Sequence, residues 1–290
     1  MRKLLVTHHA PDLDAIGAVW MLKRFDAQHF ADAKIAFVNP GEEITLPEAE
    51  KLGSQLHEVV HVDTGGGEFD HHGPDQGDKY ICATSLTYDH VCKVHPELKD
   101  DRALREIVAF TTEIDHFKEI DWPDSGNLHY TFMIHDLIRG MEFFDPHDDD
   151  SQLYFGMNCL DCAYASLTQK IKAVEIIEEE KLEFELPFGN VLALETSNDD
   201  VIKTGQKMGY DMVIRKDPKR GNVRIKMRPD TQSSLDPLYE KIKQADPKAY
   251  WFNHPNGKML LNDSKKHRDH KPTPLTLEQV IELAKEVYAK

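Results

Sequence analysis

The chain has 290 residues, 40% of them hydrophobic and 30% charged, which is enough for two domains of ordinary size with their own cores. Its formal net charge of −16 argues against binding to duplex DNA or to anionic membranes, because both depend on Lys and Arg that neutralise phosphates. No secretory-signal pattern follows the first residues and no apolar run reaches membrane-spanning length, so we expect a cytoplasmic protein.

The first 62 residues alternate between strand and helix patterns. Short apolar runs at 3–7, 35–38 and 58–62 predict strands, and apolar residues at helical spacing over 15–25 and 47–56 predict helices between them. This order predicts a parallel sheet with helices on its faces. Ligands of such sheets bind beyond the carboxyl ends of the strands, which is where His8 and Asp63 fall.

Helical patterns then continue at 85–95, 104–112, 130–139 and 154–183, and we expect the last to connect two domains. Beyond Pro187-Phe188-Gly189, strands and helices alternate again, which predicts a second, smaller α/β domain. The predicted division is therefore residues 1–155, a helical linker at 156–187, and residues 188–290. The acidic run at 145–150 is predicted to be a solvated loop or a helix N-terminus, since it lacks the spaced oxygen ligands and glycine of a calcium loop.

Histidine and aspartate are concentrated in short segments of the predicted N-terminal domain. They are His8, Asp12 and Asp14, then Asp63, then Asp70, His71 and His72, with Asp115 farther along the chain. The first three segments each follow a strand-like run, and glycines at 65–67 permit tight backbone geometry beside Asp63. Residue types that ligate metals, repeated at several strand ends, indicate a two-metal hydrolytic site.

These segments resemble the motifs of the DHH phosphoesterase superfamily, which is named for an Asp-His-His triplet. The triplet is present as residues 70–72, and the N-terminal pattern His-x3-Asp-x-Asp-Ala is present as residues 8–15. A lone aspartate after a strand matches Asp63, and an aspartate after an apolar helix matches Asp115. The resemblance covers roughly the first half of the chain, with four motifs in the same order.

The resemblance implies two divalent metal ions, most often manganese. One ion would be held by His8, Asp12 and Asp63, and the other by Asp14, Asp63, His71 and Asp115, so that Asp63 bridges the two. His72 would face the substrate phosphate and Asp70 would support the site from behind the ligands, which makes Asp63, His72 and Asp70 the expected catalytic residues. Independently, a mixed set of carboxylates and imidazoles suits Mn²⁺ better than Mg²⁺.

The resemblance also implies that the C-terminal domain closes over the metal site and selects the substrate, often through a Gly-Gly-His stretch that this chain lacks. The nearest counterpart is the segment 251–258, where Trp251 or Phe252 could stack on a base or belong to the core. The basic segment 262–271 is either a phosphate-binding loop or a solvated one, and its residues 264–266 are similar to the Ser-Arg-Lys-Lys segment of manganese-dependent pyrophosphatases. The expected substrate-binding residues are His72, Arg228, His254, Gly257, Ser264 and Lys265.

The leading hypothesis is a manganese-dependent phosphoesterase that hydrolyses a small phosphodiester, such as a short single-stranded oligonucleotide or a nucleotide-derived compound. Two alternatives stay open: a pyrophosphatase or exopolyphosphatase acting on phosphoanhydrides, and a non-catalytic nucleotide-binding module. We expect a small phosphate-containing substrate and a homodimer, with neither duplex DNA nor a membrane as partner. The Cys159-x2-Cys162 pair lacks a second pair for structural zinc, so we expect two buried thiols.

Overall fold

The computed structural model describes residues 3–73, 79–263 and 271–289, so that Ser264 and Lys265 lie outside the described residues. The chain divides into two compact units, Met1–Ser166 and Leu167–Lys290. The boundary between them falls inside one long helix, Asp149–Glu180, where the sequence predicted a helical linker over 156–187. Within the described part of the chain, no helix has both the length and the apolar character needed to cross a bilayer.

The N-terminal unit contains a three-stranded parallel sheet with the strand order β2-β1-β3. Its strands are β1 (Leu4–His8), β2 (Lys34–Val38) and β3 (Val59–His61). Its helices are α1 (Leu13–Phe25), α2 (Ala27–Phe30), α3 (Leu46–Lys51), α4 (Ala83–Val94), α5 (Arg102–Asp115), α6 (Ile134–Phe144) and the first part of α7 (Asp149–Glu180). The predicted parallel sheet with flanking helices is confirmed.

Burial explains the central position of β1 and the tight packing of α1. Leu4, Leu5 and Val6 of β1 are fully buried, and the strand pairs with a neighbour on each of its edges. Helix α1 lies close to α4, and a Cβ added at Gly17 would come within 2.3 Å of the Thr84 hydroxyl oxygen. A glycine at residue 17 therefore lets the two helix starts approach each other, which matters for the carboxylate of Asp14 described below.

The C-terminal unit contains a six-stranded mixed sheet with the strand order β4-β5-β6-β7-β9-β8, in which only β5 and β6 pair in parallel. Its strands are β4 (Leu182–Leu186), β5 (Gly189–Glu195), β6 (Met212–Lys216), β7 (Val223–Met227), β8 (Trp251–Asn253) and β9 (Met259–Asn262). Its helices are α8 (Val201–Lys207), α9 (Asp236–Ala245) and α10 (Leu277–Tyr288). The second, smaller α/β arrangement is confirmed.

Several local predictions for the second half of the chain need correction. The sequence did not predict β4 or β8; the long helical pattern was carried through residue 183, whereas the helix ends at Glu180. Trp251 is buried in the core and its indole N–H donates to Asp246, so this ring is not available to stack on a base. The two expected buried thiols are also wrong, because Cys162 is exposed and Cys159 is half-buried on α7.

Candidate metal centre

The predicted metal ligands converge beyond the carboxyl ends of β1 and β3. Their donor atoms form three overlapping groups, each with all atoms within 4.8 Å of one another. The groups are His8 with Asp12 and Asp63, Asp14 with His71 and Asp115, and Asp63 with His71 and His72. The first group contains the same residues as the first ligand set that the resemblance implied. The second group contains the residues of the second implied set except Asp63.

Asp63 is shared by two of these groups, the one with His8 and Asp12 and the one with His71 and His72. Its Oδ2 lies 3.3 Å from His8 Nε2, and its Oδ1 lies 3.2 Å from His71 Nε2. The residue has a left-handed φ of +56°, a conformation that aspartate tolerates better than most residues. Its backbone N–H donates to the Phe69 carbonyl, which fixes the turn that carries the side chain into the site.

His8 and Asp12 each use one side-chain atom locally and leave another for a ligand. The Nδ1–H of His8 donates to the carbonyl oxygen of His9 at 2.8 Å, so the neutral imidazole keeps a lone pair on Nε2. Asp12 is the N-cap of α1, and its Oδ1 accepts hydrogen bonds from the amides of Asp14 and Ala15. The second carboxylate oxygen of Asp12 is therefore the one that can bind a cation.

Asp14 is fixed by the start of a different helix. Its two carboxylate oxygens accept hydrogen bonds from the backbone amides of Ala83, at 2.7 Å, and Thr84, at 2.8 Å. These amides belong to the first turn of α4, whose partial positive charge favours the carboxylate. The short distance between α1 and α4 at Gly17 is what allows this side chain to reach the helix end.

Asp70 belongs to the triplet but does not point at the ligand groups. Its Oδ2 accepts from the amide of Gly66 at 2.7 Å, and its Oδ1 accepts from both the amide and the Nδ1–H of His72. Gly66 has a φ of +64°, which a residue with a Cβ rarely adopts. Asp70 thus orients His72, whose side chain is 63% exposed and faces a cavity.

The aspartates of the ligand groups carry more negative charge than the histidines of the same groups can neutralise. Although burial alone would lower it, the pKa of His8 rises to about 9 because of the hydrogen bond and charge of Asp63. The pKa of Asp14 rises to about 8 through burial and the charges of Asp63, Asp115 and Asp12. Burial likewise raises the pKa of Asp115 to about 6. A divalent cation would supply the charge that reverses these shifts.

Two buried atoms test whether these residues fit a metal. Asp63 Oδ1 and His71 Nε2 are buried and form no acceptable hydrogen bond with any described residue, although they lie 3.2 Å apart. Buried polar atoms without partners are rare in proteins, since each costs about 1–3 kcal/mol. Both are donor atoms that suit a transition-metal ion, so the residues present fit a metal between them.

The loop before α1 is held by residues that the sequence analysis missed. Asp149, the first residue of α7, accepts hydrogen bonds from the His9 imidazole at 2.6 Å and from the amide of Ala10 at 2.7 Å. The side-chain amide of Gln152 donates to the Pro11 carbonyl at 3.0 Å. Of the two structures expected for the acidic run, a solvated loop or a helix N-terminus, the second is the one observed. Its Asp149 holds the segment that carries His8 and Asp12.

A cavity of about 520 Å³ opens from this cluster within the N-terminal unit. It is lined by Asp12, Asp14, His71, His72 and Asp115 on the motif side. The rest of the lining comes from Leu13, Thr111 and Ile114 and from residues of the segment 117–142, which no motif includes. Among the described lining residues, Arg139 is the only Lys or Arg, and it forms no ion pair within the described ranges.

The expected substrate-binding residues of the C-terminal unit already have local partners. Arg228 makes a bidentate pair with Asp230 at 3.0 and 2.7 Å. His254 Nδ1 lies 2.8 Å from Asn256 Oδ1, and the amide of Gly257 donates to the His254 carbonyl at 2.8 Å in the same turn. Their roles toward a phosphate stay predictions.

No protein-family model and no curated protein matches the sequence. Among solved structures, a DHH domain described as a member of the s1p family of ribosomal proteins aligns with 99% of this chain and 86% of its own, at 14% identity and a TM-score of 0.36. RecJ from Thermus thermophilus, solved in complex with Mg²⁺, aligns at 11% identity and a TM-score of 0.33, and this chain spans about half of it (49%).

A third structure, assigned as a putative family II inorganic pyrophosphatase from Methanococcus jannaschii, aligns over the full length of both chains at 14% identity and a TM-score of 0.24. These scores reflect distant similarity. The likeness to the DHH superfamily therefore rests on the motif residues and on their convergence at the edge of the sheet.

Proposed function

We propose that this protein hydrolyses a phosphodiester bond in a small nucleotide-derived substrate and that it does so with two divalent ions, of which Mn²⁺ is the expected one. The observation that carries the proposal is the position of Asp63. One of its carboxylate oxygens lies 3.3 Å from Nε2 of His8 and the other lies 3.2 Å from Nε2 of His71. A carboxylate placed in this way would be able to contact two ions, one beside each histidine.

When bound, two such ions activate a water molecule and stabilise the attacking and leaving oxygens of an in-line displacement. The residues of this chain hold the donor atoms ready for that role. Once His8 loses its proton, the hydrogen bond from its Nδ1–H to the His9 carbonyl leaves the lone pair on Nε2, and the amides at the start of α1 leave one oxygen of Asp12 free. No Ser or Cys nucleophile is needed.

His72 is the proposed contact to the substrate phosphate. Because Asp70 accepts its Nδ1–H, Nε2 is the ring atom left to meet the substrate. A protonated Nε2 would donate a hydrogen bond to a phosphate oxygen and, as the bond breaks, could pass its proton to the leaving oxygen. Asp70 contributes by holding the ring in the orientation that presents Nε2 to the substrate.

The cavity favours a nucleotide over a simple phosphoanhydride. Its volume of about 520 Å³ lies within the ~300–1,000 Å³ usual for sites that enclose small organic molecules. Pyrophosphate would meet the metal cluster and leave the remaining lining, which includes Phe117, Trp122 and Tyr130, without a ligand. Arg139 would balance the charge of a phosphate in an otherwise acidic environment.

The test is a comparison of dinucleotides, cyclic dinucleotides and pyrophosphate with Mn²⁺, with Mg²⁺ and with EDTA. We expect Mn²⁺-dependent release of nucleoside monophosphate from a dinucleotide, with little orthophosphate from pyrophosphate. Release of orthophosphate from pyrophosphate alone would replace the proposal with a phosphoanhydride hydrolase. Nucleotide binding without turnover of any substrate would indicate a binding module instead.

A further inference from the structure

The cavity at the metal centre includes an aromatic region that the metal motifs do not explain. After α5 the chain passes through two 3₁₀ turns, Lys118–Asp121 and Leu128–Phe132, before α6 begins at Ile134. Phe117, Trp122, Tyr130 and His135 of this segment all line the cavity. The region is therefore a wall of rings that shares one cavity with the metal ligands.

Trp122 is the centre of this wall. Its ring lies 6.0 Å from that of Phe110 at an interplanar angle of 29°, 5.3 Å from that of Tyr130, and 6.2 Å from that of His135. The indole N–H donates to Glu113 at 2.6 Å, and the Tyr130 hydroxyl donates to the Pro123 carbonyl at 2.7 Å. Since both polar groups are engaged within the fold, the rings themselves are what Trp122 and Tyr130 offer a ligand. Rings fixed in this way bind a planar ligand at little cost in side-chain entropy.

Two buried polar atoms in the same wall have no partner. Glu119 Oε2 and His135 Nδ1 are buried and form no hydrogen bond with any residue in the described ranges. Both residues line the cavity. A carboxylate oxygen can only accept hydrogen bonds, so Glu119 is suited to a ligand that presents N–H groups. Burial lowers the pKa of His135 despite the nearby Asp136 and Glu119, which leaves its ring neutral.

We propose that this wall is a nucleobase pocket and that Glu119 makes it selective for guanine; the inference rests on the proposed function, which places the phosphate of the same nucleotide at the metal centre. Guanine carries two adjacent N–H donors, on N1 and on its exocyclic amine, which match the two oxygens of one carboxylate. Adenine and cytosine place a ring-nitrogen acceptor beside their amino group, and uracil flanks its N–H with two carbonyl oxygens. Each of these bases would bring an acceptor toward Glu119.

The position of Trp251 supports this assignment indirectly. Of the two aromatic residues that the sequence suggested for base stacking, Trp251 is only 5% exposed and its indole N–H is bonded to Asp246. The rings that do line a cavity with the metal ligands belong to the N-terminal unit. A guanine base in that pocket and its phosphate at the metal centre would occupy one continuous space.

The test compares the Mn²⁺-loaded wild-type protein with Glu119→Gln and with Asp121→Asn as a matched control. Asp121 is an exposed acid in the same 3₁₀ turn and does not line the cavity. The measured quantity is the ratio of kcat/KM for the dinucleotide GpG to that for UpU. We expect wild type to favour GpG, Glu119→Gln to lower that ratio by about tenfold, and Asp121→Asn to keep the wild-type ratio. Equal ratios in all three proteins would overturn the guanine pocket and leave the phosphodiesterase proposal standing.

A second measurement tests base binding independently of phosphodiester hydrolysis. Guanosine and uridine, which have no phosphate, are tested by saturation-transfer NMR against the full chain in EDTA. Guanosine binding that is lost in Glu119→Gln and kept in Asp121→Asn would support the pocket even if no phosphodiester were hydrolysed. Absence of any guanosine signal, together with unselective turnover, would show that the aromatic wall binds no base.

Discussion

Nε2 of His71 lies 3.2 Å from Oδ1 of Asp63, and both atoms are buried without a hydrogen bond to any described residue. Two such atoms facing each other are stable only if one is protonated or if a cation lies against both. The same carboxylate approaches His8 through its other oxygen at 3.3 Å. The relationship makes Asp63 the residue on which both proposed ion sites depend.

Replacement of Asp63 with Asn should abolish hydrolysis and preserve the fold. Asparagine tolerates the left-handed backbone of residue 63, but its neutral amide cannot bridge two cations. We expect Mn²⁺ affinity to fall by more than about 100-fold, because the replacement of residues that merely support metal ligands already costs about 10–100-fold. Isothermal titration with Mn²⁺ measures the affinity, and circular dichroism checks the fold.

Asp89→Asn is the matched control, since Asp89 is exposed on α4 and forms no hydrogen bond or ion pair with any residue in the described ranges. It should bind and hydrolyse like wild type. Activity of Asp63→Asn within a few fold of wild type would contradict the two-ion assignment.

Binding of Mn²⁺ should release protons. The pKa values of His8 and His71 rise to about 9, because the carboxylate of Asp63 outweighs the opposing effect of burial, so both rings are protonated at pH 7. A cation requires the lone pair of each ring, and its affinity should therefore rise with pH by up to about tenfold per unit for each proton released. Calorimetry at pH 7 in two buffers of different ionisation enthalpy gives the number of protons. Identical enthalpies in the two buffers would show that the rings are neutral and would contradict this account.

Stability in EDTA should decrease as pH rises from about 5 to 9. The folded-state pKa of each ring lies above its ordinary value of about 6.5, and that of Asp14, at about 8, lies above the ordinary aspartate value. These three groups therefore bind more protons in the folded chain than in the unfolded chain across this range, and the histidine contribution, complete below about pH 6.5, is lost through about pH 9. Asp63, whose pKa is lowered despite burial by the neighbouring rings of His71 and His8, acts only at more acidic pH.

Urea unfolding at pH 6 and pH 9, with EDTA or with Mn²⁺, checks this dependence. Mn²⁺ should stabilise the protein more at pH 9, because fewer protons then compete with it. A urea midpoint of unfolding in EDTA that rises between pH 6 and pH 9 would contradict the predicted loss of stability.

The convergence of His8 and Asp63 could be predicted from sequence because both residues follow strands. Strand patterns located the ends of β1 and β3, and parallel pairing brings those ends to one edge, so His8 and Asp63 were expected to meet. Asp115 was the least distinctive match, yet it ends α5 with its carboxylate 3.7 Å from His71. Local pattern and topology were sufficient for His8 and Asp63, whereas Asp115 was indicated only by the resemblance to the DHH motifs.

Contacts between distant segments and irregular backbone could not be predicted in this way. The hydrogen bond of His9 to Asp149 spans 140 residues, and nothing near either residue signals the other. The cavity wall around Trp122 lies in 3₁₀ turns, which have no long-range periodicity, and only its density of aromatic residues could have drawn notice. The start of β4 was predicted as helix because the acidic helical pattern continues into the first residues of this strand.

Replacement of Asp70 with Asn should slow hydrolysis and leave the ions in place. Asp70 does not belong to the ligand groups found among the described residues, but it accepts the Nδ1–H of His72 at 2.9 Å. The amide of asparagine would hold the imidazole ring less firmly, and we expect kcat to fall about 10–100-fold with Mn²⁺ stoichiometry unchanged. Loss of bound Mn²⁺ in this variant would instead make Asp70 a ligand.

Replacement of Asp149 with Ala should loosen the segment that carries His8 and Asp12. Asp149 accepts hydrogen bonds from His9 and from the amide of Ala10, and Ala10 has a left-handed φ of +48° that the loop must maintain. Without these bonds we expect the free energy of unfolding to fall by about 1–3 kcal/mol and the first ion site to weaken. Asp150→Ala is the matched control, because Asp150 is exposed, lies in the same first turn of α7, and has no hydrogen bond to the loop. Urea unfolding and Mn²⁺ titration are measured for both variants. If stability and affinity fall equally in the two, the cause is the loss of a negative charge at the helix N-terminus. If they fall only in Asp149→Ala, the cause is the loss of the contact with the loop.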